Sequence, residues 1–348
     1  MNLIKQLMLT GLILVSSQNA IAQGESLPKI EIPERSENIP TQDPQYPLQT
    51  RINRNLERQL SKFFVFTKVD RSKVIQLRSI LQPLADRRDP VALYWLAKTY
   101  DLYEFGLGND RDAAIALKHY IRAADLGMAT VEYFLSSVYK YRLMNVPKDE
   151  RKVISYLDRA QLHGSNEVKV EVLLDYARLY SPERDRADFA SIPRDAGKMN
   201  AALQAAYAID PDNTTVADWW GTELEKRTQY AAALAVYRHS TNPYTEERVA
   251  QMYETGRGTK IDLPNALIWY KRSAKQQLSS SETTSIRTYD RSSSIGHIYR
   301  LVCQNKISSS AAIPEFQQSE YDVYLQESIN HQSTRQLKTN PCIPIPGG

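Results

Sequence analysis

The chain has 348 residues, with 44 Lys and Arg against 40 Asp and Glu, and a formal charge of +4. That length suits one long repeat array or two ordinary domains. The near balance of charge, with both signs mixed along the chain, excludes the one-sided basic surface of a nucleic-acid binder.

The N-terminus reads as a secretory signal peptide spanning residues 1–22. Lys5 supplies a positive charge, Leu7–Val15 a largely apolar run, and Ala20-Ile21-Ala22 an A-x-A cleavage signature. The run is too short to cross about 30 Å of hydrocarbon as a helix, so a membrane anchor is the weaker reading. No cysteine follows the cleavage site to accept a lipid, and no later segment approaches the length of a membrane span. The expectation is an exported periplasmic protein that is neither a lipoprotein nor stably inserted in a membrane. Residues 23–50 hold Pro28, Pro33, Pro40, Pro44 and Pro47 among polar residues. Such a stretch cannot propagate a helix and reads as an extended leader. Residues 51–90 read as N-terminal capping helices. Leu56, Leu60, Phe63 and Phe64 share one helical face, and Val74, Leu77, Ile80, Leu81 and Leu84 share another.

Residues 91–278 carry an internal repeat. Gly106, Gly108, Asp112, Ala116, His119, Tyr120, Arg122 and Ala123 recur 150 residues later as Gly256, Gly258, Asp262, Ala266, Trp269, Tyr270, Arg272 and Ser273. A third copy has Asp149, Val153, Tyr156, Arg159 and Ala160. A preceding helix recurs too, as a large residue, a small one and an anchor three positions on. It appears as Leu96-Ala97 with Tyr100, Leu135-Ser136 with Tyr139, Tyr176-Ala177 with Tyr180, Trp220-Gly221 with Leu224, and Val249-Ala250 with Tyr253. The small residues are 39, 41, 44 and 29 positions apart. The fourth unit, with Tyr230, Ala233 and Tyr237, is short and degenerate.

This spacing is a packing code. A small residue lets a bulky neighbour from the next helix approach closely. The glycines allow loop conformations that side chains forbid. Asp112, Asp149 and Asp262 precede the second helices, where a carboxylate caps free backbone N–H groups. The residues resemble the Sel1-like repeat, a subclass of the tetratricopeptide-type helical hairpin. The likeness is best over 249–274, good over 96–127 with three residues inserted after Tyr100, and moderate over 135–164. It is weak over 173–207, where 181–193 is an insertion. The resemblance implies an all-α, right-handed superhelical solenoid of about five hairpins, and a protein-interaction scaffold rather than an enzyme.

Residues 279–348 read as C-terminal capping helices and a Pro-rich tail. In an exported chain, Cys303 and Cys342 read as one disulfide, with two free thiols as the alternative. Closing a loop of that size contributes roughly 4 kcal/mol on the chain-entropy estimate.

Motifs for chemistry are sparse. The stretch Gly256-Arg257-Gly258-Thr259-Lys260 lacks the P-loop spacing and follows no apolar strand. It reads as a turn between helices. Ser137-Val138-Tyr139-Lys140 fits S-x-x-K, but the S-D-N and K-T-G partners of that chemistry are missing. The five histidines form no ligand spacing. His119 takes the tryptophan position of the repeat and reads as a packing residue. His163, before Gly164, reads as a cation at a helix end. No catalytic group, cofactor or metal site is expected. Of the 21 tyrosines, Tyr94, Tyr133 and Tyr141 lie off the anchor positions and are candidates for a concave binding face. The partners expected are envelope proteins of the inner membrane, periplasm or outer membrane, with an assembly factor for secretion or polysaccharide export as the specific reading. Peptidoglycan or another wall glycan is the alternative ligand. An effector released outside the cell is a third reading.

Overall fold

The computed structural model describes residues 71–101, 112–185 and 189–280, with Ser294, His297, Ile298 and Leu301. The signal peptide, the leader, the helix expected around Leu56, the Gly106–Gly108 pair, and both Cys303 and Cys342 lie outside the described residues.

Among the described residues the regular structure is helical throughout. The α-helices are α1 (Arg71–Asp86), α2 (Pro90–Asp101), α3 (Ala113–Ala124), α4 (Ala129–Tyr141), α5 (Glu150–His163), α6 (Asn166–Tyr180), α7 (Ala196–Ile209), α8 (Thr214–Lys226), α9 (Tyr230–Tyr237), α10 (Pro243–Thr255) and α11 (Leu263–Ser280). From α2 onward the helices follow one another as five consecutive pairs, of which α2–α3, α4–α5, α8–α9 and α10–α11 pack as hairpins. The chain divides into two compact units. One holds α1 to α5, α6 as far as Asp175, and residues 183–193. The other holds the end of α6 and α7 to α11.

Each hairpin closes on the same backbone bond. The residue before the second helix donates its N–H to the carbonyl of the first helix's anchor residue. The pairs are Asp112 to Tyr100 (2.9 Å), Asp149 to Tyr139 (3.4 Å), Asp195 to Tyr180 (2.8 Å), Gln229 to Leu224 (2.9 Å) and Asp262 to Tyr253 (2.9 Å). The four aspartates also cap. Their Oδ1 atoms accept the N–H of Ile115, Lys152, Lys198 and Asn265 at 2.9–3.1 Å. Gln229 makes no side-chain cap, which fits the degeneracy of the fourth unit. Despite the three residues inserted after it, Tyr100 supplies the closing carbonyl to Asp112. Asp195 is a cap that the sequence reading did not single out, because fifteen positions separate it from its anchor.

The small residues lie in the seams. Ala97, Ala116, Ala123, Ala160, Ala177, Ala250 and Ala266 are fully buried, as is the Tyr270 ring. Tyr120, Tyr139, Tyr237 and Trp269 are buried too, while Tyr100, Tyr180 and Tyr253 are half-buried. The anchors gain further ring contacts. Tyr139 stacks on Tyr156 with centroids 5.9 Å apart, and Lys152 and Lys198 lie over Tyr139 and Tyr180. At the N-terminal side, α1 buries Val74, Leu77, Leu81 and Ala85. Ile80 and Leu84 sit at the edges of that face, so the buried stripe ends on Ala85 rather than Leu84. At the other side, His297 stacks on Tyr270 at 5.0 Å, and Ser294 Oγ bonds Ser273 Oγ at 2.7 Å.

Gly221 marks the tightest helix approach in the fourth hairpin. A Cβ there would fall inside contact distance of Cδ1 and Cε1 of Tyr237. That ring is buried and its hydroxyl is tied to Thr222 and Glu225, so it has no room to yield. Alanine gains up to about 1 kcal/mol over glycine in helix propensity, but overpacking a dense seam costs roughly 1–3 kcal/mol. Gly221→Ala is therefore expected to lower the urea midpoint, and an unchanged or raised midpoint would contradict this packing.

Candidate interaction surface

A few charged residues of the repeat are held in its seams. In the second hairpin Glu132 is fully buried, four residues before the small residue of α4. Arg159, one residue before Ala160, places Nε 3.0 Å from its carboxylate, and His163 Nδ1 lies 2.9 Å away. The same guanidinium donates to the Ala124 carbonyl at the end of α3 and sits 3.3 Å from Asp125. The fifth hairpin repeats the pair at equivalent positions. Glu246 is fully buried, with Arg272 Nη2 at 2.8 Å and Gln276 Nε2 at 3.1 Å. Burial pushes the Glu246 carboxyl above its ordinary value, against the pull of Arg272. In the first hairpin Leu93 takes the glutamate position, and Arg122 spends one bond on the Ala85 carbonyl, at 3.2 Å. His163, expected as a cation at a helix end, is the last residue of α5 and keeps Nδ1 within hydrogen-bond reach of Glu132 on α4.

Other seams close through different residues. Lys140 and Asp175, both nearly buried, pair at 3.1 Å between α4 and α6. Asp218 on α8 accepts from Ser240 Oγ (2.5 Å), Asn242 Nδ2 (2.6 Å) and Thr245 Oγ1 (2.6 Å), which fixes the turn into α10. Glu225 accepts from the Tyr237 hydroxyl at 3.1 Å and pairs with Arg248 and Arg257 at 3.3 Å each.

The glycine-rich stretch after α10 is a docked turn. Gly256 is its left-handed helix cap, at φ 72°. Gly258, at φ 80°, lies against the backbone of Tyr230 and Ala231 so closely that a Cβ would collide with it. Arg257 covers the Tyr230 ring at 4.8 Å.

The three candidate tyrosines have different surroundings. Tyr133 is only 7% exposed and is a packing residue. Tyr94 is half-buried, edge-on to Trp95 at 5.4 Å, with Lys98 over its ring. Tyr141 is 51% exposed, beside Lys140. In the second unit Tyr244 is 76% exposed, and Ile261 and Ile268 are also open to solvent. No periodic signal marks Tyr244, which follows the Pro243 that starts α10.

The insertion at 181–193 is built rather than loose where it is described. Phe189 is buried in a left-handed conformation, at φ 53°, under Lys148. Arg184 donates to the carbonyls of Phe189 (3.0 Å) and Ile192 (2.6 Å), and Ser191 donates to Glu150. With α5 the insertion borders a shallow cleft of about 490 Å³ lined by Arg151, Ile154, Ser155 and Asp158. Among the described residues, no cluster of His, Cys, Asp and Glu is arranged to hold a metal, and no helix is long and apolar enough to cross a membrane.

Removing Arg272 would leave the Glu246 carboxylate buried without its cation. Breaking such a pair costs on the order of 3 kcal/mol. Arg272→Ala is expected to be destabilising near neutral pH. The penalty should shrink on acidification, because the folded-state carboxyl, already raised by burial, takes up a proton before the unfolded one does. Urea unfolding across pH checks both, and a penalty that does not change with pH would contradict the assignment.

The Sel1 repeat family model matches residues 90–128 and 243–278, the first and fifth hairpins. A comparison with the curated proteins finds no match. Among solved structures the chain is similar to a Sel1 repeat protein from Oxalobacter formigenes, at 16% identity and a TM-score of 0.49, over 87% of this chain and 74% of that one. It is similar to c5321, a protective antigen of uropathogenic Escherichia coli with an SLR fold, at 17% identity and a TM-score of 0.35, over 74% and 64%. It is also similar to a Sel1 repeat protein from Klebsiella pneumoniae subsp. pneumoniae, at 19% identity and a TM-score of 0.28, over 58% and 94%. The family match falls on two hairpins whose described caps, anchors and small residues are in place, and it is these two hairpins that match the Sel1 repeat.

Proposed function

We propose that this chain is a non-enzymatic protein-interaction scaffold of the bacterial periplasm, an assembly or positioning factor for a cell-envelope machine such as a type VI secretion system or a polysaccharide-export apparatus. The observation that supports a scaffold is how the repeat uses its polar residues. The aspartates cap helices, and Glu132, Glu246, Arg159 and Arg272 pair within seams. What the hairpins present outward differs from one to the next and includes open aromatic and aliphatic side chains such as Tyr141, Tyr244 and Ile268. Such rings bury much area at low entropic cost when a partner docks. The periplasmic address rests on the Lys5, Leu7–Val15 and Ala20–Ala22 pattern of the leader.

In-cell photocrosslinking tests this reading. Photoreactive residues at Tyr94, Tyr141 and Tyr244 are expected to capture a defined set of envelope proteins, while the same residue at buried Tyr133 captures none. Adducts to wall glycan instead of protein would shift the assignment to a peptidoglycan binder. Retention of the full-length chain in the cytoplasm on fractionation would overturn the periplasmic placement.

A further inference from the structure

We infer that His119 is an acid-sensitive latch: neutral, it lets α1 close on the first hairpin, and protonated, it opens that seam. The inference does not rest on the scaffold reading.

The repeat places a ring seven residues after the capping aspartate and an arginine three residues after the ring. In the second and fifth hairpins the guanidinium lies over that ring, Arg159 over Tyr156 at 5.4 Å and Arg272 over Trp269 at 4.6 Å. The ring faces supply the partner for the cation. In the first hairpin the ring is His119 and the arginine is Arg122. A neutral imidazole serves in that place as an aromatic surface. An imidazolium is a second cation beside Arg122.

The surroundings hold little to receive that charge. His119 is 8% exposed, and its Nδ1 has no hydrogen-bond partner. Lys118 and Arg122 act on it from its own helix as like charges, and Asp86 at the end of α1 is the opposing carboxylate. From α2, Tyr100 stacks on the imidazole, with centroids 5.9 Å apart and planes at 15°. The Tyr100 ring already carries Arg78 of α1 at 3.7 Å. Burial first, then Arg122 and Lys118, hold the imidazole below its ordinary value, outweighing Asp86.

The groups disturbed are those that fasten α1. Arg122 donates to the Ala85 carbonyl, and Arg78 donates to the Thr99 carbonyl and hydroxyl. A new positive charge repels Arg122 directly and adds a second cation to the Tyr100 ring that already carries Arg78, which loosens both links. Because the folded-state value is depressed, the stabilisation is present above the ordinary histidine pKa and is lost as pH falls through the lower folded value. Opening would uncover the apolar face of α1, with Val74, Leu77 and Leu81, and the face of α2 that it covers.

The test compares the full-length protein with His119→Trp, the residue the fifth hairpin uses at this position, and with His119→Phe. Urea midpoints are measured from about pH 7.5 to about pH 5.5, the range over which an ordinary imidazole titrates. The wild type is expected to lose more of its midpoint on acidification than either variant. Hydrogen exchange, corrected for intrinsic rates, should show loss of protection at 71–86 in the wild type at the acid end, and less in α10 and α11. Equal losses in all three proteins, or a loss spread evenly over the helices, would overturn the latch. If neither variant folds, the ring-proton NMR titration of His119 decides: titration at or above the ordinary histidine value overturns the proposal, and titration below it sustains it.

Discussion

A helix that ends against another helix leaves bare carbonyls at its end, and the next helix begins with bare amides. In this protein the two needs answer each other. The amide of the residue that opens the second helix finds the carbonyl of the first helix's anchor, and in four hairpins out of five the same residue is an aspartate whose carboxylate caps its own helix. That junction sets where the two axes cross. Once it is set, the alanine or glycine of the first helix meets the aromatic of the second, as Gly221 meets Tyr237. Seam packing follows from the junction.

Neighbouring hairpins are joined by longer polar side chains. Arg122 on α3 and Arg159 on α5 each reach back two helices, to the last turns of α1 and α3 at Ala85 and Ala124. A guanidinium suits this position, since it satisfies carbonyls at a helix C-terminus, complements the negative end of the dipole, and still has donors for a buried carboxylate. The same position therefore closes a hairpin and joins it to its neighbour. Lys140 with Asp175 and the Asp218 cluster are alternative solutions where the repeat is weaker.

How much of this was legible depends on distance along the chain. The hairpins, their anchors, the caps Asp112, Asp149 and Asp262, and the glycine turn at 256–258 were readable because each is a short-range pattern with one physical reading. Asp195 was obscured by the length of the insertion before it. The Glu132–Arg159 and Lys140–Asp175 pairs were not readable, because each partner is named by how helices dock. Burial of Tyr133 was missed for a related reason: it lies off the anchor positions, where the repeat pattern carries no burial signal, yet it is only 7% exposed. Tyr244 carries no repeat signature at all, so only the fold reveals that it is exposed.

The closing bond is indifferent to the length of chain it spans. Its two ends lie 12, 10, 15, 5 and 9 positions apart in the five hairpins. Loop-closure entropy grows only slowly with length, so each extra residue weighs little. The region after each anchor is thus a splice point. A lineage can lengthen the chain there, as with the segment seated by Phe189, and keep the closing bond, here Asp195 to Tyr180. A protein engineer has the same freedom: an epitope or a binding loop grafted between Tyr253 and Asp262 needs only to begin and end where the old one did.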